Sequence, residues 1–369
     1  MGLLRLMFAR LTFLIYSLPF SLREWLRIRI FQVHKRTYHV HGELIKLDRF
    51  SLISIIALYP RKEKLFSITC LIESLIENSY LPIVVMNDNS KAKEFAEALR
   101  KYPIITIIRP NVGRDFGAYQ SGIKFIRRHK AGGFQSIKSL LLCNDSVHYF
   151  KETASWITQF IDSSKKNPWT SLFVNKQFHL HAQSFFQCFS YPLISSKTFE
   201  SFWLNYYPTS IRHKVINNGE VALSQALLKD GYYPEKFVNS DKIISSLRSE
   251  FMSMELNSIF DKQLTISERN FLQNIENRGY IFDEIARTLD LRNPSHHLGL
   301  IATRNLGLPL KYDILRTGLC TEDDLRSVLG FAVPENSQVL LNLFLEQGSV
   351  ASKKGISSVW NKYGLSKIN

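Results

Sequence analysis

The sequence predicts an α/β fold: a mostly parallel sheet with helices on both faces, a helical C-terminal region and an N-terminal amphipathic segment. Three observations predict it. Apolar runs at Leu52–Pro60, Pro82–Met86, Ile104–Ile108 and Ser139–Cys143 are nearly continuous, as in strands buried on both faces. Segments of helical spacing separate them: Leu65–Glu77 (apolar at Leu65, Ile68, Leu71, Ile72, Leu75 and Ile76), Lys91–Tyr102, and a helix from Tyr119 to His129. The strict alternation of the two is the pattern of βαβ units. With 369 residues, 45% hydrophobic and 21% charged, the chain has a folded protein's composition, which excludes extensive disorder.

The third strand leads into Arg109-Pro110-Asn111-Val112-Gly113-Arg114-Asp115-Phe116-Gly117-Ala118-Tyr119. A strand, a glycine-interrupted turn and a helix in that order form an anion site, because unpaired N–H groups of the helix start face the ligand. Arg114 offers a planar fork suited to a diphosphate. Asp115 can hold that Arg, touch a sugar hydroxyl or help place a metal. The other reading is a structural turn closed by an Arg–Asp pair.

In a parallel sheet, ligands sit at the C-terminal strand ends. Tyr59, Asp88, Arg114 and Asp145 are expected on that one edge, with Ser90 beside Asp88. Asn144-Asp145-Ser146 follows the fourth strand, and Asp145 could coordinate Mg²⁺ or Mn²⁺ on a diphosphate. An Asx-turn is the alternative there.

Beyond Phe150 a helix is expected near 153–163, a turn at Asn167-Pro168, and one half-buried strand over Phe178–Phe186 presenting His181 or Gln183 to one side. A core histidine is the plainer reading of His181. Asn217–Leu228 reads as a turn and then a helix. Glu220 then stabilises the first turn, or acts as a general base toward an acceptor hydroxyl. From about 245 onward the pattern is helical, with breaks near 256–263, a loop at Asn293–His297 and a Lys- and Ser-rich end from Ser352.

The formal charge of +15 calls for an anionic partner. Arg5, Arg10, Arg23, Arg27, Arg29, Lys35 and Arg36 are interleaved with apolar residues at the N-terminus, a membrane-surface pattern more than a nucleic-acid one. The uncharged run Leu11–Leu22 is short of the roughly 20 residues a spanning helix needs. Residues 37–50 read as a connector carrying His39 and His41. Four separated cysteines, Cys70, Cys143, Cys188 and Cys320, fit neither a zinc site nor a disulfide frame.

Five pieces in order resemble the rhamnan synthesis protein F family: Asn111–Tyr119; Leu142–Ser146; His181–Phe186 with Phe199–Trp203; Glu220 with Leu223-Ser224; and Asn293–His296 with Leu310–Arg316. The resemblance implies a GT-A-like, Rossmann-like fold. It implies transfer of a sugar, rhamnose or another deoxyhexose, from a nucleoside diphosphate donor such as dTDP-rhamnose to a lipid-linked glycan. The setting would be cell-surface polysaccharide synthesis of the O-antigen or rhamnan type, at the cytoplasmic face of the bacterial inner membrane, beside other glycosyltransferases of the pathway. Carried onto this chain, catalysis falls to Glu220, Asp145, Arg114 and His181. The nucleotide sugar falls to Tyr59, Asp88, Ser90, Asn111, Gly113, Arg114, Asp115, Asn144 and Asp145, and any metal to Asp145. The usual Asp-x-Asp is replaced here by Asn144-Asp145-Ser146. The expected organisation is a membrane-associating segment with its connector (1–48), a transferase domain (49–245) and a helical region completing the acceptor side (246–369).

Overall fold

The computed structural model describes residues 22, 39–41, 44–176, 179–247, 293–297, 299–316, 320, 322–330, 332 and 334–348. The basic N-terminal pattern apart from these positions, the breaks near 256–263 and the end from Ser352 lie outside the described residues.

The strands are β1 (His39–His41), β2 (Leu52–Leu58), β3 (Leu81–Asn87), β4 (Ile105–Arg109), β5 (Ser139–Asn144), β6 (Val147–His148), β7 (Trp169–Ser171), β8 (Val174–Asn175), β9 (His181–Ala182), β10 (Phe186–Ser190), β11 (Glu235–Lys236) and β12 (Leu310–Lys311). Eight of them form one sheet in the order β1-β4-β3-β2-β5-β10-β7-β11. β4, β3, β2 and β5 are mutually parallel, while β1 and β10 run antiparallel to their neighbours in the sheet. This agrees with the expected mostly parallel, GT-A-like sheet. The chain order reverses at β2: β3 lies on one side of it and β5 on the other, which opens a crevice above their C-terminal ends.

Residues alternate between the two faces along a strand, and each face has its own core. Ile56, Val84, Ile108 and Leu141 pack on one side with Ile68, Leu71, Ile72 and Leu75 of α1 (Leu65–Glu77). Ile55, Val85, Ile107 and Leu142 pack on the other, where α2 (Ala92–Leu99) has no part and α3 (Arg114–His129) brings Phe116, Tyr119, Ile123 and Ile126. Also in the chain are α4 (Ser155–Ser164), α5 (Lys197–Asn205), and α6 (Arg212–Val215), which continues through a π-helical turn (Ile216–Val221) into α7 (Ala222–Lys229). The described C-terminal pieces are largely helical, and Leu300, Ile301, Ile314, Leu325 and Leu340 join the first core. β12 pairs with β6, which sets that region against the end of β5.

Four local expectations are corrected, the first being that the loop expected at Asn293–His297 is a short helix over Pro294–His297. α3 begins at Arg114 rather than Tyr119, because Gly117 lies within the helix. The run 178–186 is not one half-buried strand: β9 and β10 are separate, and β10 is an inner strand between β5 and β7. Residues 217–221 form a wide helical turn, so Glu220 sits inside a continuous helix and not at its start.

Gly117 answers to packing. A Cβ there would stand 2.5 Å from the Val112 carbonyl oxygen and 2.9 Å from Arg109 Nη2. Gly117→Ala is expected to lower stability by about 1–3 kcal/mol, the usual cost of overpacking. Thermal unfolding checks it, and an unchanged melting temperature would show that the loop gives way freely.

Candidate functional site

The turn after β4 is built on a buried cation. Arg109 donates from Nη1 to Asn87 Oδ1 at 2.9 Å and from Nη2 to the Val112 carbonyl, fixing the loop from within. Gly113 takes φ +82°, and a Cβ on it would meet Pro208 Cβ at 2.4 Å. Its N–H donates to Ser210 Oγ at 3.1 Å, and Arg114 Nε donates to the Ser210 carbonyl at 2.7 Å. Arg114 itself has φ +49°, a left-handed conformation unusual for a side-chain-bearing residue. Clamping to Ser210 on both sides holds it there. Through its Nε, the guanidinium expected to meet a diphosphate ties the 206–211 segment to α3.

What the turn positions is Asp115. Its Oδ1 accepts from the Phe116 N–H at 3.0 Å, and its Oδ2 accepts from Asn144 Nδ2 at 3.1 Å. That same Oδ2 lies 3.0 Å from Ser184 Oγ, which lies 2.6 Å from Glu220 Oε1. Tyr119 donates its hydroxyl to the Ser184 carbonyl at 2.8 Å and fixes that residue. Glu220 Oε2 is 3.8 Å from His181 Nε2. His181 Nδ1 is 2.7 Å from the His179 carbonyl, which can only accept, so Nδ1 carries the hydrogen. Gly219 lets this turn approach α3, since a Cβ there would meet the Phe116 ring at 2.8 Å.

The Ser184 hydroxyl has one hydrogen and two carboxyl neighbours. Both contacts are satisfied only when one carboxyl is protonated. Burial, and then the charge of Glu220, push the Asp115 carboxyl above the usual range, against the pull of Ser184 and the Phe116 N–H. That direction favours Asp115 as the member that holds the proton, an arrangement in which it donates to Ser184 and Ser184 donates to Glu220. The Glu220 side chain is 19% exposed.

At the crevice between β2 and β5, Asp145 Oδ2 accepts from the Tyr59 N–H at 2.8 Å and from Lys64 Nζ at 2.7 Å. Asn144 Oδ1 accepts from the Ser146 N–H at 3.0 Å, so the Asx-turn alternative is realised. Asp88, Ser90 and Asn111 are exposed at the ends of β3 and β4. The Asp88 N–H donates to the Arg109 carbonyl at 2.6 Å. Asn89 Nδ2 donates to the Pro60 carbonyl at 3.0 Å and joins two of these loops. C-terminal residues close the other side. Gln183 Nε2 donates to Asn293 Oδ1 at 2.7 Å, the Tyr312 N–H donates to the Ser146 carbonyl at 3.1 Å, and Arg212 pairs with Asp313 at 2.6 Å.

Asp115, Asn144, Glu220 and His181 are thus brought into one cluster, and Asp145 and Tyr59 into a second, linked by the Asn144–Asp145 peptide. Ser184, Lys64 and Lys311 were not among the expected residues. Ser184 and Lys311 lie within the runs that carried the family resemblance, which is a signal of place but not of role. Lys64 stands in a charged turn with nothing in the sequence to separate it from Lys62.

The residues around Asp145 do not fit a divalent ion. One carboxylate is present, its Oδ2 is taken by an ammonium, and the Asn144 carbonyl oxygen is taken by Ser146. Among the described residues no group of three His, Cys, Asp or Glu side chains is placed to hold a metal.

Linkage gives a test of the shared proton. A carboxyl raised on folding contributes stability that is complete below its ordinary value of 3.8 and is lost as pH rises through its folded value. Glu220→Gln keeps an acceptor for Ser184 and removes the like charge. It is expected to be more stable than the parent near neutral pH, with the difference shrinking toward acid. Melting temperatures taken across that range decide it; a difference that does not depend on pH would defeat the assignment.

A curated relative, the uncharacterized protein y4gN of Sinorhizobium fredii (strain NBRC 101917 / NGR234), is 23% identical over 202 residues, 53% of this chain and 51% of its own length. The chain thus spans about half the length of the curated relative it matches. Among solved structures, S. aureus TarS 1-349 is 12% identical with a TM-score of 0.31, covering 81% of this chain and 91% of that one. The mannosyltransferase PcManGT of Pyrobaculum calidifontis, solved with GDP-Man and Mn²⁺, is 11% identical with a TM-score of 0.33, covering 94% and 99%. The description "rhamnan synthesis protein F" matches residues 83–294, more than half of the chain, and the protein belongs to that family.

Proposed function

We propose that the protein is a glycosyltransferase of polysaccharide synthesis that moves a deoxyhexose, rhamnose first among the candidates, from a nucleoside diphosphate to a hydroxyl of a lipid-linked glycan. The observation that supports this most is the carboxylate of Glu220. Its Oε1 lies 2.6 Å from Ser184 Oγ, and Ser184, Asp115 and Asn144 link it in turn to the C-terminal edge of the parallel sheet, where Asp145 follows Asn144. That arrangement gives a base for an acceptor and a separate place for a leaving group.

In this reading the nucleoside lies against the loops of Tyr59, Asp88, Ser90 and Asn111, and the diphosphate lies at the Asp145 crevice. The acceptor oxygen attacks the anomeric carbon, Glu220 takes the proton of that oxygen, and the bonding pair of the departing C–O bond goes to the diphosphate. Stereochemistry inverts. Asp115 keeps its proton throughout and acts through Ser184, holding the Glu220 carboxylate in line. Arg114 orders the 206–211 segment, and His181 presents its second nitrogen to Glu220. The leaving group gains negative charge as the bond breaks, so fixed cations at the crevice stabilise the transition state more than the ground state.

A non-catalytic, glycan-binding role in the same pathway finds support in one observation, the Asn144-Asp145-Ser146 sequence where two acids are usual. It predicts binding without turnover.

The basic, apolar N-terminal pattern supports attachment to an anionic membrane surface. Among the described residues no helix is long and apolar enough to cross a membrane. Deleting residues 1–36 is expected to move the protein out of the membrane fraction, with unchanged partitioning counting against the anchor. For the chemistry, transfer is measured with a panel of nucleotide sugars and a lipid-linked acceptor. Glu220→Gln is expected to lower kcat on the order of 10²–10⁴-fold, the usual contribution of a general base, while donor affinity changes little. Parental turnover in Glu220→Gln would sink the base assignment.

A further inference from the structure

The misfit between Asp145 and a divalent ion has a positive counterpart. We infer that two lysines, Lys64 and Lys311, bind the diphosphate of the donor directly, at the place where such sites otherwise use a metal. The inference rests on the nucleotide-sugar reading above.

The first lysine fills the position of an ion. Lys64 Nζ is 2.7 Å from Asp145 Oδ2, and the two side chains are only 12% and 15% exposed. A Mg²⁺ ion on that oxygen would sit about 2.1 Å away, pressed against an ammonium that already holds it. Asp145 therefore serves Lys64: it neutralises and aims it, with the Tyr59 N–H as the second donor on the same oxygen. An ammonium carries three N–H donors and Asp145 takes one. The pair stands above β2 and β5, where the strand order reverses, the usual crevice for a phosphate-bearing ligand.

Lys311 arrives from the opposite side. It ends β12, in register with Val147, two residues past Asp145. Its Nζ is 3.4 Å from Ser295 Oγ and 4.8 Å from the Phe185 ring centroid, a polar contact and a ring rather than a carboxylate. Burial disfavours its charged form, opposed by Asp313, Glu220 and Asp115 and reinforced by Arg212. A dianion beside it would relieve that cost. The next residue joins the two lysines: the Tyr312 N–H donates to the Ser146 carbonyl, and Lys64 Nζ lies 5.6 Å from the Tyr312 ring centroid. Lys64 thus stands at Asp145, while Lys311, whose backbone pairs with Val147, carries its ammonium to Ser295 and Phe185 on the side of Glu220 and Asp115. Two fixed charges can meet a leaving diphosphate without the ion exchange a metal would need, each acting as a compact point charge.

Calorimetry on the full chain tests this with dTDP, UDP and GDP, each in excess EDTA and again with Mg²⁺ or Mn²⁺. The expected result is that at least one nucleotide binds in EDTA and that added metal changes its Kd less than about threefold. Lys64→Met and Lys311→Met should each weaken that binding on the order of 10- to 100-fold, as loss of a charge-assisted hydrogen bond does. Lys64→Arg, which keeps the charge, should recover part of it and serves where Lys64→Met does not fold. Binding that requires added metal, or that survives both Met substitutions, overturns the inference and leaves the transferase reading standing. Absence of binding under every condition overturns the nucleotide-sugar reading and the inference with it.

Discussion

The Asp115 carboxyl is the contact on which the arrangement depends. It accepts from the Phe116 N–H of its own helix start and from Asn144 at the end of β5, and it meets Ser184 in the link between β9 and β10. Through Ser184 it reaches Glu220 in the π-helical turn. Four segments remote in sequence are thereby held around one half-buried carboxyl. A charged Asp115 in that place would face Glu220 across a single hydroxyl, so holding the proton makes the cluster compatible with burial. The same proton leaves Ser184 oriented toward Glu220, and orientation of the base follows from desolvation of its neighbour.

Much of the surrounding loop serves that one carboxyl. Arg109 braces the turn from inside, Gly113 permits close approach to Pro208, and Gly117 leaves space for the Arg109 head group. Arg114 is drawn to Ser210. A motif that invites reading as a phosphate cradle is thus in large part a device for delivering the residue after its arginine. Its glycines are explained by contacts that any side chain would break, without appeal to a ligand.

The sheet was legible because strands buried on both faces leave unbroken apolar runs, and Leu65–Glu77 was legible because one helical face must be apolar. The start of α3 was hidden by Gly117, which resembles a helix breaker in sequence and is a packing residue in space. β9 and β10 were hidden for a similar reason: an inner antiparallel strand shows no alternation, so Phe186–Ser190 merged with the run before it. The π-helical turn at Ile216–Val221 left no trace in the sequence; Gly219 within it packs against the Phe116 ring, more than 100 residues away in the chain. Site residues followed the same division. Asp115, Asn144, Asp145, His181 and Glu220 were visible as polar residues at strand ends or in family motifs. Ser184 and Lys64 matter only through partners that folding supplies.

The two halves of the site place opposite demands on electrostatics, and the fold separates them. Glu220 works as a base only if it stays anionic and reachable, which favours acid-rich surroundings with one member neutralised. On the proposed reading the crevice at Asp145 attracts a diphosphate, and there the carboxylate is paired with Lys64. Asn144 lies between them and is neutral, donating to Asp115 and accepting from Ser146. An acid at 144 would face the Asp115 carboxyl and drive its proton affinity higher still, coupling the base cluster to the phosphate end. The amide therefore decouples the two ends, and the departure from a paired-acid sequence is what a site using ammonium groups beside a proton-sharing pair requires.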